Sequence, residues 1–410
     1  MPRRLRFALV LVAAMLAWQL PATSSAAVTL HYQDGVVTRI ADGDTFRINL
    51  DSGQRDVPVR LIGLQATETG TCNAAAATRR LSQLILGKRV RLTSIHTSST
   101  SLGRLLRHVA VRIDGSWRDA GKTLASEGYV LWEPSRAEWY LNKNYHARVA
   151  RAAATRTGPM WRSTVCGSGP QQTVPVRIQA QWDADGDDNA NLNGEYVRVR
   201  NHSTTSTLLL TGWALRDGTH YTWWFPTGAR IAPGATVTVH IGSGTTTSTR
   251  FYMRRTTPLF GNPDVNGYGD GAYLLDPHGD VRAHFVYPCG YSCVDRLTGK
   301  VDVRAQYDAP GNDASNLNQE YVDVVNTSTA SVNLEGYLIR NTPNSYLVGA
   351  NSVVGPGERL RLHMGQGTDS RLEKYWRRTG AQLANGGETV TLQTFAGVVV
   401  DCYAWGTARC

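Results

Sequence analysis

Asn191-Leu192-Asn193-Gly194-Glu195-Tyr196-Val197 returns 125 residues later as Asn316-Leu317-Asn318-Gln319-Glu320-Tyr321-Val322. The echo extends well beyond this heptad. Residues 305–324 reproduce 180–199, and Pro233-Gly234 recurs as Pro356-Gly357. His240-Ile241-Gly242 recurs as His363-Met364-Gly365, and Tyr252-Met253-Arg254-Arg255-Thr256 as Tyr375-Trp376-Arg377-Arg378-Thr379. The offset falls only to 123 over this span, so two whole domains are related. Such a period is too long for a solenoid and fits tandem globular modules. Within each copy, alternations such as Tyr196-Val197-Arg198-Val199 and Val237-Thr238-Val239-His240 sit between Gly, Pro, Asn and Thr clusters. Those are strands bounded by turns. About seven or eight strands per copy predict two immunoglobulin-like β-sandwiches.

The order of motifs in the first copy adds a family. Asn-Leu-Asn-x-Glu-Tyr-Val is followed by Gly212-Trp213-Ala214-Leu215-Arg216-Asp217, Phe225-Pro226 and Pro233-Gly234. This set resembles the lamin-tail domain over roughly 174–288 and 300–404. The second copy departs more, with Gly336-Tyr337-Leu338-Ile339-Arg340-Asn341 and no Phe-Pro. Asp183, Asp185, Asp187 and Asp188 are the acids to consider for Ca²⁺ in the first copy, where the second keeps only Asp308 and Asp313. Neither copy has the downstream Glu of an EF-hand loop, and acidic turns between strands are usually just solvated. Tyr221, Trp223, Trp224 and Phe225 form an aromatic stripe. Alternating strands around them send about half to the core. The two copies are expected to be non-catalytic.

Ahead of the repeats lies a different composition. Of 410 residues, 41% are hydrophobic and 19% charged, which excludes a disordered or fibrous chain. The net charge of +10 is unevenly spread. Residues 28–162 carry 17 Arg and 3 Lys against 11 acids, whereas everything after 162 carries 20 cations against 22 acids. A polyanion partner is therefore expected to meet the segment before the repeats. Arg3, Arg4 and Arg6, an apolar run from Phe7 to Leu20 and Ser25-Ala26-Ala27 predict an export signal over 1–27. The run is too short for a membrane span, and no later stretch approaches one. Export makes the six cysteines legible as disulfides, although six allow 15 pairings. Local order favours Cys72–Cys166, Cys289–Cys293 and Cys402–Cys410. The expected organisation is a signal over 1–27, an enzyme-bearing domain over 28–168, and sandwiches over 170–289 and 297–410.

In the basic segment Phe46, Ile48 and Leu50 alternate with polar residues, as do Val57, Val59 and Leu61, so both stretches read as one-faced strands. Arg60 then points away from the apolar face. Asn73 to Leu86 reads as helix, Arg89 to Ile95 and Leu105 to Ile113 as strands, and Trp117 to Glu127 and Glu138 to Arg156 as helices. Five strands with intervening helices suit an OB-type barrel (α+β), a fold often used for oligonucleotides. The whole chain is thus expected to be multidomain and mainly β.

A second resemblance now appears. Asp42-Gly43-Asp44-Thr45, Val59-Arg60-Leu61-Ile62-Gly63-Leu64-Gln65-Ala66-Thr67-Glu68, Gly103-Arg104 and Gly158-Pro159-Met160-Trp161 together resemble the staphylococcal nuclease (thermonuclease) family over about 34–162. The resemblance implies Ca²⁺-dependent hydrolysis of DNA or RNA phosphodiesters. It implies metal ligation by Asp44, phosphate binding by Arg60 and Arg104, and water activation or orientation by Glu68. The chemistry asks for such groups independently. Guanidinium forks neutralise charge on phosphate oxygens, a hard cation polarises the phosphate, and a carboxylate takes a proton from water.

The departures are specific. Gln65-Ala66-Thr67-Glu68 stands where that family has Asp-x-Pro-Glu, so Gln65 takes the place of an acidic metal ligand. An amide oxygen still coordinates Ca²⁺, with one anionic charge fewer. Thr100-Ser101-Leu102-Gly103 stands where the family has an acidic residue before Tyr-Gly-Arg. The sequence therefore predicts a secreted, Ca²⁺-dependent endonuclease acting on DNA or RNA. Its two lamin-tail modules would tether it to a cell-surface or cell-wall ligand or to substrate. The alternative from another class is a nucleic-acid-binding or surface-adhesion protein that keeps the folds and has lost the metal.

Overall fold

The computed structural model describes residues 28–134, 138–162, 171, 173–219, 221–262, 269–341 and 344–410. The export signal expected over 1–27 and the side chains of the expected Cys72–Cys166 pair fall outside them. The strands of the first unit are β1 (His31–Ile40), β2 (Thr45–Leu50), β3 (Val57–Leu61), the two-residue β4 (Leu64–Gln65), β5 (Arg89–Ser94), β6 (Thr100–Ser101), β7 (Arg104–Ile113), β8 (Ser116–Asp119) and β9 (Leu131–Trp132), with β4 and β9 paired apart from the main sheet. Helices α1 (Cys72–Ile85), α2 (Ala120–Ser126) and α3 (Trp139–Ala154) alternate with them. The hydrogen-bonded order β3-β2-β1-β5-β7 closes on itself because β3 also pairs with β7, in parallel. Five strands so closed are the expected barrel. Phe46, Ile48, Leu50, Val59, Val90 and Val109 fill it.

The expected helix over Trp117–Glu127 is corrected. Asp114 and Gly115 both take positive φ (48° and 75°), which turns the chain back so that Trp117 pairs with Arg112 in β8. Asp119 then caps α2 by accepting from the Lys122 N–H at 2.8 Å. A tight turn and an N-cap divide what apolar spacing alone runs together.

The first repeat contains β10 (Val176–Gln181), β11 (Tyr196–Asn201), β12 (Leu208–Leu209), β13 (Ala214–Asp217), β14 (Thr222–Trp224), β15 (Arg230–Ile231), β16 (Thr236–His240), β17 (Arg250–Tyr252), β18 (Asp270–Leu275) and β19 (Val281–Tyr287). Two four-stranded sheets, β10-β11-β16-β17 and β14-β13-β18-β19, make the sandwich. Val197, Val199, Val237 and Val239 alternate into its core. Of the aromatic stripe, Phe225 is buried, Tyr221 and Trp223 pack partly buried against the core, and Trp224 is 61% exposed.

The second repeat copies this order. It contains β20 (Val301–Gln306), β21 (Tyr321–Asn326), β22 (Val332–Asn333), β23 (Leu338–Arg340), β24 (Ser345–Leu347), β25 (Val353–Val354), β26 (Arg359–His363), β27 (Glu373–Tyr375), β28 (Thr389–Gln393) and β29 (Val399–Ala404). Its sheets are β20-β21-β26-β27 and β24-β23-β28-β29. Cys289–Cys293 and Cys402–Cys410 are bonded as expected.

The three units are docked. Tyr273 and Val281 of the first repeat join the barrel's apolar cluster, and the Trp161 ring lies 4.9 Å from that of His284. Between the repeats, the Trp182 indole donates to the Phe395 carbonyl at 2.6 Å. Arg340 pairs with Asp183 and Arg378 with Asp185. Guanidinium groups of the next module thus take two of the four acids that the sequence offers to calcium.

Candidate active site in the barrel cleft

The site grows from two turns. At Ala41–Asp44, Asp42 accepts from the Asp44 and Thr45 N–H groups at 3.0 and 2.7 Å, which holds the bend before β2. Asp44 is thereby set beneath the segment that follows β3. Its Oδ2 accepts from the Ala66 N–H at 2.7 Å and its Oδ1 from the Thr45 hydroxyl at 2.9 Å. Gly43 is obligatory here, since an added Cβ would stand 2.5 Å from that of Ala77 and 2.7 Å from that of Ala66. β4 then pairs Gln65 with Leu131, bringing the chain's next segment under the same cleft.

Asp44, Arg60, Gln65, Glu68 and Arg104, the five residues expected from sequence, line one cleft of about 240 Å³ together with Asp42, Thr67 and Leu102. Arg60 points away from the barrel interior, as strand alternation requires, yet it is only 4% exposed. One of its nitrogens, Nη2, donates to Glu133 Oε2 at 2.7 Å and to Gln65 Oε1, and lies 3.9 Å from Asp44 Oδ2. Gln65 cannot turn its amide over without loss, because Nε2 donates to the Ala66 carbonyl at 2.7 Å and to Glu68 Oε1 at 3.1 Å. It therefore links the arginine to the exposed Glu68. Arg104, half-buried, donates through Nη1 to the Thr45 hydroxyl at 3.2 Å and through Nε to the Ser101 carbonyl at 3.2 Å. No carboxylate pairs with Arg104 among the described residues.

Burial pushes the Asp44 carboxyl up to about 6, with Arg60 opposing and Asp42 reinforcing the shift. Desolvation is also the largest influence on Arg60, but Asp44 and Glu133 outweigh it and hold the guanidinium charged. The donor set available to a cation consists of hard oxygens. Asp44 supplies one carboxylate, Gln65 an amide oxygen, and Thr67 a buried hydroxyl that has no hydrogen-bond partner among the described residues. Among the described residues no three Asp, Glu, His or Cys side chains form a ready cage. The residues fit a cation completed by water and substrate phosphate rather than one enclosed by protein.

Beyond the cleft, the lamin tail domain model matches residues 170–289 and 298–407, the two repeats, and thereby more than half of the chain. The chain belongs to the lamin tail domain family. No curated protein matches it. The lamin tail modules are the sandwiches described above, and the barrel stands outside the match.

Sequence reasoning overlooked three contributors. Glu133, which anchors Arg60, lies 73 residues from it and carries no local signal. Thr45 stands inside a quoted motif without a role, and its hydroxyl joins Asp44 to Arg104. Thr67 likewise stands between Gln65 and Glu68 in the same motif without a role of its own.

Proposed function

We propose that the barrel hydrolyses phosphodiester bonds of nucleic acid, and that the lamin tail modules hold it to its surface or substrate. The supporting observation is the convergence of Asp44, Arg60, Gln65, Glu68 and Arg104, spread over sixty residues of sequence, in one cleft. Arg60 is positioned by Glu133 and Gln65 as a fixed cation behind the phosphate. Arg104, without a carboxylate partner among the described residues, is available to meet charge that develops on the equatorial oxygens. Glu68 sits at the exposed rim, where it accepts water's proton while Gln65 Nε2 holds one of its oxygens. Ca²⁺, held by Asp44 and Gln65, would polarise the phosphate in this site. The protein is proposed to work outside the cell. Two disulfides favour an oxidising compartment, and no helix among the described residues is long and apolar enough to cross a membrane.

One observation favours a second reading. Arg60 already has the Glu133 carboxylate as its ion partner, and Gln65 leaves the cleft one anionic ligand short. A binding protein without turnover fits those two facts. Cleavage of a labelled DNA and a labelled RNA by the full chain, with Ca²⁺ and with EDTA, separates the readings. Calcium-dependent cleavage is expected; binding without cleavage under any divalent cation would support the alternative.

A further inference from the structure

The two lamin tail modules differ in charge on strands that the repeat aligns. On the outer face of β20-β21-β26-β27 the second module carries Asp302, Asp323 and Glu373. Each meets a basic side chain: Asp302 pairs with Arg304, Asp323 with Arg359 and Arg361, and Glu373 Oε2 lies 2.8 Å from His363 Nε2. The repeat offset places Arg177, Arg198 and Arg250 at those three positions in the first module. Three acids are replaced by three arginines, and Arg200 is added directly opposite Arg177 across β10 and β11.

Among the described residues none of these four arginines has an acidic partner within ion-pair distance. Arg177, Arg200 and Arg250 are exposed, and Arg198 lies over the Tyr196 ring, its guanidinium carbon 5.2 Å from the centroid. Like charges directly opposite on a sheet are destabilising. The fold therefore gains nothing from this arrangement, as the second module shows by doing without it. Burial and the fields of Arg177 and Arg200 hold the nearby His202 imidazole below its ordinary value. The face forms one wall of a groove of about 930 Å³, whose other wall is Asn333, Glu335 and Leu347–Ala350 of the second module. Arg177, Ile178 and His202 also line an adjoining groove that reaches Arg156 at the end of α3, so the basic track runs on to the barrel.

We infer that the outer sheet of the first lamin tail module is a second nucleic-acid site, which grips the phosphodiester backbone through the Arg177–Arg198–Arg200–Arg250 ladder. The choice of nucleic acid over another polyanion rests on the proposed chemistry of the barrel; the charge asymmetry does not. Strand spacing of about 4.8 Å and a two-residue rise of about 7 Å spread four guanidinium groups over the sheet. Such an array suits a chain with one charge per unit, and each fork binds phosphate bidentately without reading a base. Net charge conceals the site, because acids elsewhere in the module cancel the arginines.

The test places the second module's own residues on the first. The full chain with Arg177→Asp, Arg198→Asp and Arg250→Glu is titrated against fluorescent duplex DNA in EDTA over a range of salt. Binding at least tenfold weaker is expected, with a log–log salt slope shallower by about 2 to 3, since each phosphate contact contributes about 0.9. A triple Arg→Lys variant keeps the charge and should keep most of the affinity, which guards against misfolding as the cause. Cleavage of a short oligonucleotide too small to span both sites should persist in the charge-reversed protein. An unchanged affinity and slope in that protein would overturn the inference. So would loss of binding to an acidic polysaccharide alone, with DNA unaffected. A parent that binds DNA through this face and cleaves nothing would leave the inference standing and remove the barrel's hydrolytic reading.

Discussion

The barrel cleft and the junction between the lamin tail modules use the same two chemical groups to opposite ends. At the junction, Asp183 and Asp185 each meet their own guanidinium, from Arg340 and Arg378, and Asn262 bridges Asp183 to Asp188 at 3.0 and 2.8 Å. The cleft has Asp44 and Glu133 sharing Arg60, while Arg104 has only neutral partners among the described residues and Glu68 is exposed. Burial raises Asp44 and Asp183 alike to about 6. Charge matched one to one locks two modules together. Charge left unmatched around an opening is what a phosphate and a cation need.

Asp44→Asn separates the two uses most sharply. It should abolish cleavage at any practical calcium concentration and yet stabilise the fold. The folded carboxyl titrates near 6 against about 3.8 unfolded, so its contribution is greatest below pH 4 and is lost as pH rises through 6. Removing the ionisable group should gain about 1 to 3 kcal/mol at pH 7.5 and almost nothing at pH 4, read by urea unfolding. A destabilised, inactive variant would mean that Asp44 is structural.

Arg340→Ala should do the reverse. It leaves Asp183, 6% exposed, beside Asp185 and Asp188 without its main cation. Loss of about 2 to 4 kcal/mol in the coupled unfolding of the modules is expected, with short-oligonucleotide turnover unchanged. Adding Asp183→Asn should restore part of it. If Arg340→Ala melts like the parent, the junction is not held by this pair.

The acid limb of the activity profile sharpens the cleft alone. At limiting calcium, kcat/KM should rise about tenfold per pH unit up to a bend near 6, where Asp44 becomes anionic. Saturating calcium should move the bend downward, because the cation stabilises the anion. A bend that ignores calcium would assign the limb to another group.

Gln65→Asp carries the smallest expected effect. A second carboxylate replaces the amide, at the cost of the bonds from Nε2 to Ala66 and Glu68. A surviving gain of about 1.4 kcal/mol lowers the half-maximal calcium concentration tenfold. An inactive parent revived by this change would show that the natural glutamine marks a binding protein.

Much of this was legible in the sequence because it is periodic or local. Alternation at Phe46, Ile48 and Leu50 and the Asn-Leu-Asn repeat fixed strands and modules, and Asp44, Gln65 and Glu68 lie in short motifs whose order carries the nuclease resemblance. What escaped depends on topology. Glu133 reaches Arg60 only because β9 pairs with β4, and Arg340 reaches Asp183 only because the modules dock. The arginine ladder escaped for another reason. Summed charge after residue 162 is slightly negative, and only strand register shows that Arg177 faces Arg200 while the second module's Asp323 faces Arg361. The proposed second site stands beside the expectation that a polyanion meets the basic segment before the repeats.

The most direct test of the central claim is single-turnover cleavage of a labelled oligonucleotide at saturating calcium, comparing the full chain with its Arg104→Ala variant. Arg104 has no carboxylate partner among the described residues, so its loss should leave folding and the calcium requirement unchanged. Turnover should fall by about 10²-fold or more, as expected when a donor to transition-state charge is removed. Equal rates in the two proteins, or a parent whose cleavage survives EDTA, would contradict the assignment of this cleft as a metal-assisted phosphodiesterase site.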